Sequence, residues 1–144
     1  MGTIIIPIVF FLYLNGIAHA NIHTKFLTPV CISPFKEYHY KTCHPIKVKI
    51  DDMSYTIPEK FETDLASIPR FFWIVTNPAE SNLMRAAIVH DWFYRMTCDF
   101  NRKETDLIFY HMLINDGTPR YKAAIFYYAV RLFGWKFYNE DYCE

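Results

Sequence analysis

From Ala86 to Tyr94 the chain reads Ala-Ala-Ile-Val-His-Asp-Trp-Phe-Tyr, and Asp106 follows twelve residues later. An apolar run of this kind must be buried, and burial takes a histidine and two aspartates out of water with it. Ionisable groups are costly there unless hydrogen bonds or counter-charges meet them. Any fold available to this chain therefore has to supply those partners. On a helix, Leu83, Ala87, His90 and Tyr94 share one stripe, flanked by Ala86 and Phe93. His90 is thus predicted on the buried face, and Asp91 at the edge of the stripe next to Met84. Asp106 shares a face of the following helix with Phe109, Tyr110 and Leu113. The link over residues 96–100 is short enough to make the two helices antiparallel neighbours, which lets His90 and Asp106 meet.

Local punctuation sets the other elements. The first helix is predicted over residues 82–95, capped by Ser81 or Asn82. The second opens on a capping box, Asn101 with Glu104, and ends near Asn115 before Gly117. The third takes Thr118 as N-cap and Pro119 as its first residue, runs through 121–133 and stops at Gly134. Upstream, Ile46-Lys47-Val48-Lys49-Ile50 and Met53-Ser54-Tyr55-Thr56-Ile57 alternate around Asp51-Asp52. That pattern predicts a β-hairpin with its lysines in solvent, and Phe61-Glu62-Thr63 is expected to add a third short strand. Pro29, Pro34 and Pro45 predict an irregular segment over residues 21–45. The resulting expectation is an α+β domain over residues 46–134, a small antiparallel sheet followed by three packed helices, with an aromatic tail over 135–144.

The chain's 144 residues suit one domain, and 52% of them are hydrophobic, ample for a core. Fifteen lysines and arginines balance fifteen aspartates and glutamates. No basic field is available to attract nucleic acid, so that class of partner is excluded. Residues 1–20 differ in kind. An apolar run over 4–14 leads to Ala18-His19-Ala20, a small-x-small site of the type cleaved after a signal peptide. The run is shorter than the roughly 20 residues a membrane-crossing helix needs. Export is the expectation, with Asn21 as first mature residue; an uncleaved membrane anchor is the alternative. The cysteines agree with an oxidising compartment, since all four follow residue 20 and no C-x-x-C spacing suggests zinc. The favoured pairing is Cys31–Cys43 with Cys98–Cys143, worth about 3 and 4 kcal/mol by chain entropy.

Three roles are open to His90 and Asp106: a proton-transfer pair, a metal site, or a tie between helices. As a pair, Asp106 would fix the tautomer of His90 and leave its other nitrogen as general base for a water. Asp91 could then hold a divalent cation, with Asp64 as second ligand. Ser67 could be a nucleophile for His90, although Asp64 and Ser67 equally suit local caps of a tight turn. His39 and His44 are further metal candidates. The aromatics of the third helix and tail are core packing or an exposed patch for a membrane or partner.

Two resemblances add to this. Phe61-Glu62-Thr63-Asp64-Leu65-Ala66-Ser67-Ile68-Pro69-Arg70, then Ala86-Ala87 with His90-Asp91-Trp92-Phe93-Tyr94, then Arg102-Lys103-Glu104 with Asp106, and Ala129-Val130-Arg131-Leu132-Phe133-Gly134 resemble an uncharacterised family of tailed phages and prophages. The match spans about residues 46–134 and implies a phage-encoded protein. More distantly, His90-Asp91-Trp92-Phe93-Tyr94 resembles the His-Asp-x-Cys-Tyr helix of secreted phospholipase A2. That resemblance implies His90 as general base, Asp106 as its supporting aspartate, Tyr94 as orienting residue and Asp91 as calcium ligand. The family's glycine-rich calcium loop has no counterpart, because no glycine lies between Asn21 and His90. The expected function is an exported hydrolase acting on a lipid or other ester of the bacterial envelope. The alternative is a non-catalytic, disulfide-stapled module that binds an envelope component, in lysis or superinfection exclusion. Oligomeric state is not legible in the sequence.

Overall fold

The computed structural model describes residues 21–37, 39–65 and 81–139. Among them the strands run β1 (Thr24–Phe26), β2 (Ile32–Lys36), β3 (His39–Thr42), β4 (Ile46–Ile50), β5 (Met53–Ile57) and β6 (Glu62–Thr63). The helices α1 (Ser81–Met96), α2 (Arg102–Asn115) and α3 (Arg120–Phe133) follow, with a 3-10 turn at Gly134–Lys136. This is the expected α+β order. The alternating stretch forms its hairpin, β4 against β5, with Ile50 opposite Met53 across the Asp51-Asp52 turn. Ile46, Val48 and Ile50 are buried while Lys47 and Lys49 face solvent.

The strands over 21–45 correct the expectation of an irregular segment. β1 pairs antiparallel with β4, giving a first sheet in the order β1-β4-β5; β2, β3 and β6 form a second, also antiparallel. Pro29 and Pro45 lie between strands, and Pro34 sits in β2 where the register shifts between Pro34 and Lys36. Because β2 is an edge strand, a residue without an N–H is tolerated there. The short strand at Glu62–Thr63 also forms, but beside β3 in the second sheet rather than beside the hairpin. A disulfide joins Cys31 and Cys43 at the open end of the β2–β3 pair, as expected. The proposed partner of Cys98, Cys143, lies outside the described residues, as do Ser67 and the segment 1–20.

Helix ends follow local chemistry closely. Asn101 accepts from the Glu104 backbone N–H while the Glu104 carboxylate accepts from the Asn101 N–H, both parts of the capping box. α2 closes through Gly117 at φ 94, with Gly117 donating to Ile114 and Thr118 to Leu113. That pairing satisfies carbonyls the helix would otherwise leave open. It also displaces the start of α3. Thr118 is committed to closing α2, so Pro119 is the N-cap and Arg120 the first helical residue, with no side-chain cap. No helix among the described residues is long and apolar enough to cross a membrane.

Candidate functional site

Burial of α1 against α2 brings the predicted pair together. His90 Nε2 lies 2.7 Å from Asp106 Oδ1, with the two residues 2% and 0% exposed. Tyr94, one turn beyond His90, donates its hydroxyl to the same Oδ1. Arg131 of α3 donates from Nη1 to Oδ2 at 2.7 Å, and Arg102 Nη1 stands 3.8 Å from Oδ2. A carboxylate taken wholly out of water is thereby met by three helices. Neither arginine figures as a site residue in the sequence reading. Its signals were an arginine inside the apolar run Ala129-Val130-Arg131-Leu132-Phe133 and another one turn before Asp106. Burial, followed by the charge of Asp106 and the hydrogen bond to it, drives the Tyr94 hydroxyl well above its ordinary range. It remains a donor.

Gly134 makes room for that hydroxyl. A Cβ there would lie 2.9 Å from the Tyr94 oxygen, although the backbone is ordinary right-handed at φ −71. The glycine read as a helix stop is thus also a clearance. The tail then returns to α1: the Asn139 N–H donates to the Tyr94 carbonyl, and the Tyr138 ring meets the Tyr94 ring edge-on at 5.3 Å.

The tautomer of His90 follows from its partner. Nε2 faces a carboxylate oxygen and must carry the hydrogen, which leaves a lone pair on Nδ1. Nδ1 is buried and has no hydrogen-bond partner. The His90 ring packs between Tyr94 and Phe109, with centroids 4.0 and 5.0 Å away.

Asp91 is more enclosed than its predicted place at the edge of the stripe. It is 3% exposed, and its Oδ2 accepts from Thr63 Oγ1 at 2.5 Å. The reason is tertiary: β6 carries Thr63 onto that flank of α1. Asp64 is half-buried and lines, with Asp91, Tyr94, Arg95 and Phe137, a cleft of about 190 Å³. His90 is not part of its lining. Calcium takes 6–8 oxygens, and Asp64 and Asp91 supply two carboxylates, one oxygen of which already holds Thr63. Among the described residues no three His, Cys, Asp or Glu side chains are placed to share an ion. The described donors do not fit calcium. His39 and His44 each turn Nδ1 to a backbone carbonyl, of Glu37 and Pro45.

Residues 40–130 match the family model described as "Protein of unknown function (DUF1353)". Two proteins of Sinorhizobium fredii (strain NBRC 101917 / NGR234) are similar. One, titled "Uncharacterized protein y4iH", is 34% identical over 91 residues, covering 60% of this chain and 36% of its own length. The other, "Uncharacterized protein y4jT", is 32% identical over 99 residues, covering 64% of this chain and 29% of its own. The chain thus spans about a third of the length of these curated relatives. No solved structure matches it.

Proposed function

The chain belongs to the DUF1353 family, a family of unknown function, and we propose from the geometry of its buried site that it is an ester hydrolase of the bacterial envelope with His90 as general base. One observation carries this reading: His90 gives its Nε2 hydrogen to Asp106 and keeps a lone pair on Nδ1 that no donor meets. A buried acceptor without a partner is costly, and a proton from water is what it is built to take. In the reaction, Nδ1 removes a proton from a water whose oxygen attacks the ester carbonyl. The imidazolium, stabilised by Asp106, then returns that proton to the departing alkoxide, leaving acid and alcohol. Tyr94 and Arg131 hold Asp106 in place. This is the set of roles implied by the phospholipase A2 resemblance for His90, Asp106 and Tyr94. The Cys31–Cys43 disulfide supports an exported protein, and the sequence pattern supports a phage or prophage origin. The cleft lined by Asp91 and Tyr94, with Phe137 on its wall, does not include His90, so on this reading water and an acyl chain reach Nδ1 only once a neighbouring side chain moves.

The test is fatty-acid release from phosphatidylglycerol vesicles by the wild type and by His90→Gln, both checked for folding by circular dichroism. A loss of at least a hundredfold in folded His90→Gln is expected. Equal rates, or no release by the wild type, overturn the proposal. The 2% exposure of His90 and the donors that converge on Asp106 favour a second reading. In it the cluster ties the helices of a non-catalytic envelope-binding module, and His90→Gln keeps its function.

A further inference from the structure

The other buried histidine sits at the opposite end of the helices, in a setting of reversed charge. Five residues after Asp106 on α2, His111 is 8% exposed, and its Nε2 is buried without a hydrogen-bond partner. It lines a second cleft, of about 100 Å³, together with Asn21, His23, Tyr110, Asn115 and Arg120. Such a volume accommodates a few waters or one tetrahedral oxyanion. Arg120, the first residue of α3, makes no ion pair among the described residues, and the positive end of the helix dipole lies beside it. The nearby carboxylate, Asp51, is occupied in accepting from the His23 backbone N–H at 2.9 Å. The Asn115 amide donates to the Ile22 carbonyl and to Thr24 Oγ1, which fixes the cleft wall.

We propose that this cleft is a binding site for a phosphate-type oxyanion, held by the Arg120 guanidinium and by the His111 imidazole. A guanidinium matches a phosphate oxygen pair in bidentate geometry. A histidine nitrogen with no partner supplies a further donor once it is protonated. A metal cation suits the cleft poorly, since Arg120 would repel it from the two imidazoles. Burial first and then Arg120 hold His111 below its ordinary range; His23 adds to this and Asp51 opposes it. A bound anion reverses the local charge and draws a proton onto the ring. The site is independent of the catalytic reading: Arg120 and Arg131, which holds Asp106, are eleven residues apart on α3, about 16 Å of helix.

The experiment is a titration of the side-chain nitrogen signals of His111 by NMR, at fixed ionic strength with chloride as control. The ligands are inorganic phosphate in one arm and phosphatidylglycerol vesicles in the other, with phosphatidylcholine vesicles for comparison. Saturable shifts of His111 are expected, together with upward movement of its titration midpoint. Arg120→Gln, a change at an exposed position, is expected to weaken binding at least tenfold. Saturation by inorganic phosphate identifies a free ion as ligand, and saturation by phosphatidylglycerol vesicles alone identifies a headgroup. No saturable shift in either arm, or shifts unchanged by Arg120→Gln, overturns the proposal.

Discussion

The two sheets have the same number of strands and the same antiparallel pairing, yet they are held by different forces. The first, β1-β4-β5, buries Ile46, Val48, Ile50 and Ile57 against the helical layer. The second, β2-β3-β6, buries only Thr42 and Thr63 from its strands. Its order comes from the Cys31–Cys43 bond, the Lys41–Glu62 ion pair at 3.0 Å, and Thr42. Thr42 Oγ1 donates to the Pro58 carbonyl and accepts from the Phe61 N–H. A sheet with little apolar area to hide needs covalent and polar ties instead. The weakly buried sheet is nevertheless the one that reaches the candidate site, through Thr63 and Asp91.

The largest expected effect separates the two directly. Ile46→Ala empties a fully buried position of β4 and should cost about 2–5 kcal/mol. Urea denaturation will show it as one cooperative transition at lower midpoint. A loss under about 1 kcal/mol, less than the usual range, would mean that the first sheet does not rest on its aliphatic face. Next comes the disulfide. Cys31→Ser with Cys43→Ser opens a loop of sequence separation 12, and on the chain-entropy model this costs about 3 kcal/mol. Hydrogen exchange should quicken in β2 and β3 while β4 stays protected. Equal quickening in both sheets would erase the distinction between them.

The same contrast explains what was legible in the sequence. The β4–β5 hairpin and the helices could be read because period, capping box and glycine stop act within a few residues. β1, β2 and β3 are short, interrupted by Pro29 and Pro34, and have no sustained alternation. β1 finds its partner in β4 and β3 one of its two in β6, both remote in sequence, and only the β2–β3 pair is local. At the site, the meeting of His90 with Asp106 followed from helical periodicity and a short connection. Arg131 and Arg102 did not, because where a long charged side chain ends is decided by tertiary packing. Asp91 was read as an edge residue for the same reason, since nothing local to α1 announces that β6 will cover it.

Thr63→Val tests that covering residue with the smallest change of shape. The hydroxyl, 1% exposed, donates to Asp91 Oδ2 and accepts from the Leu65 N–H at 3.2 Å. Valine fills the same volume and removes both bonds, so the buried Leu65 N–H loses the Thr63 oxygen and the Asp91 carboxylate loses one of its donors. The expected cost is about 1–3 kcal/mol. Leu65 sits at φ 54, a left-handed conformation unfavourable for leucine. Once its N–H is released, the end of β6 should relax, and exchange at residues 63–65 should quicken with it. Thr63→Ser keeps the hydroxyl and gives up one methyl, ~0.8 kcal/mol for a buried carbon, so it should retain most of the protection. Valine and serine variants of equal stability would show that packing, not the hydroxyl, anchors the second sheet to α1. The two sheets would then be held alike after all.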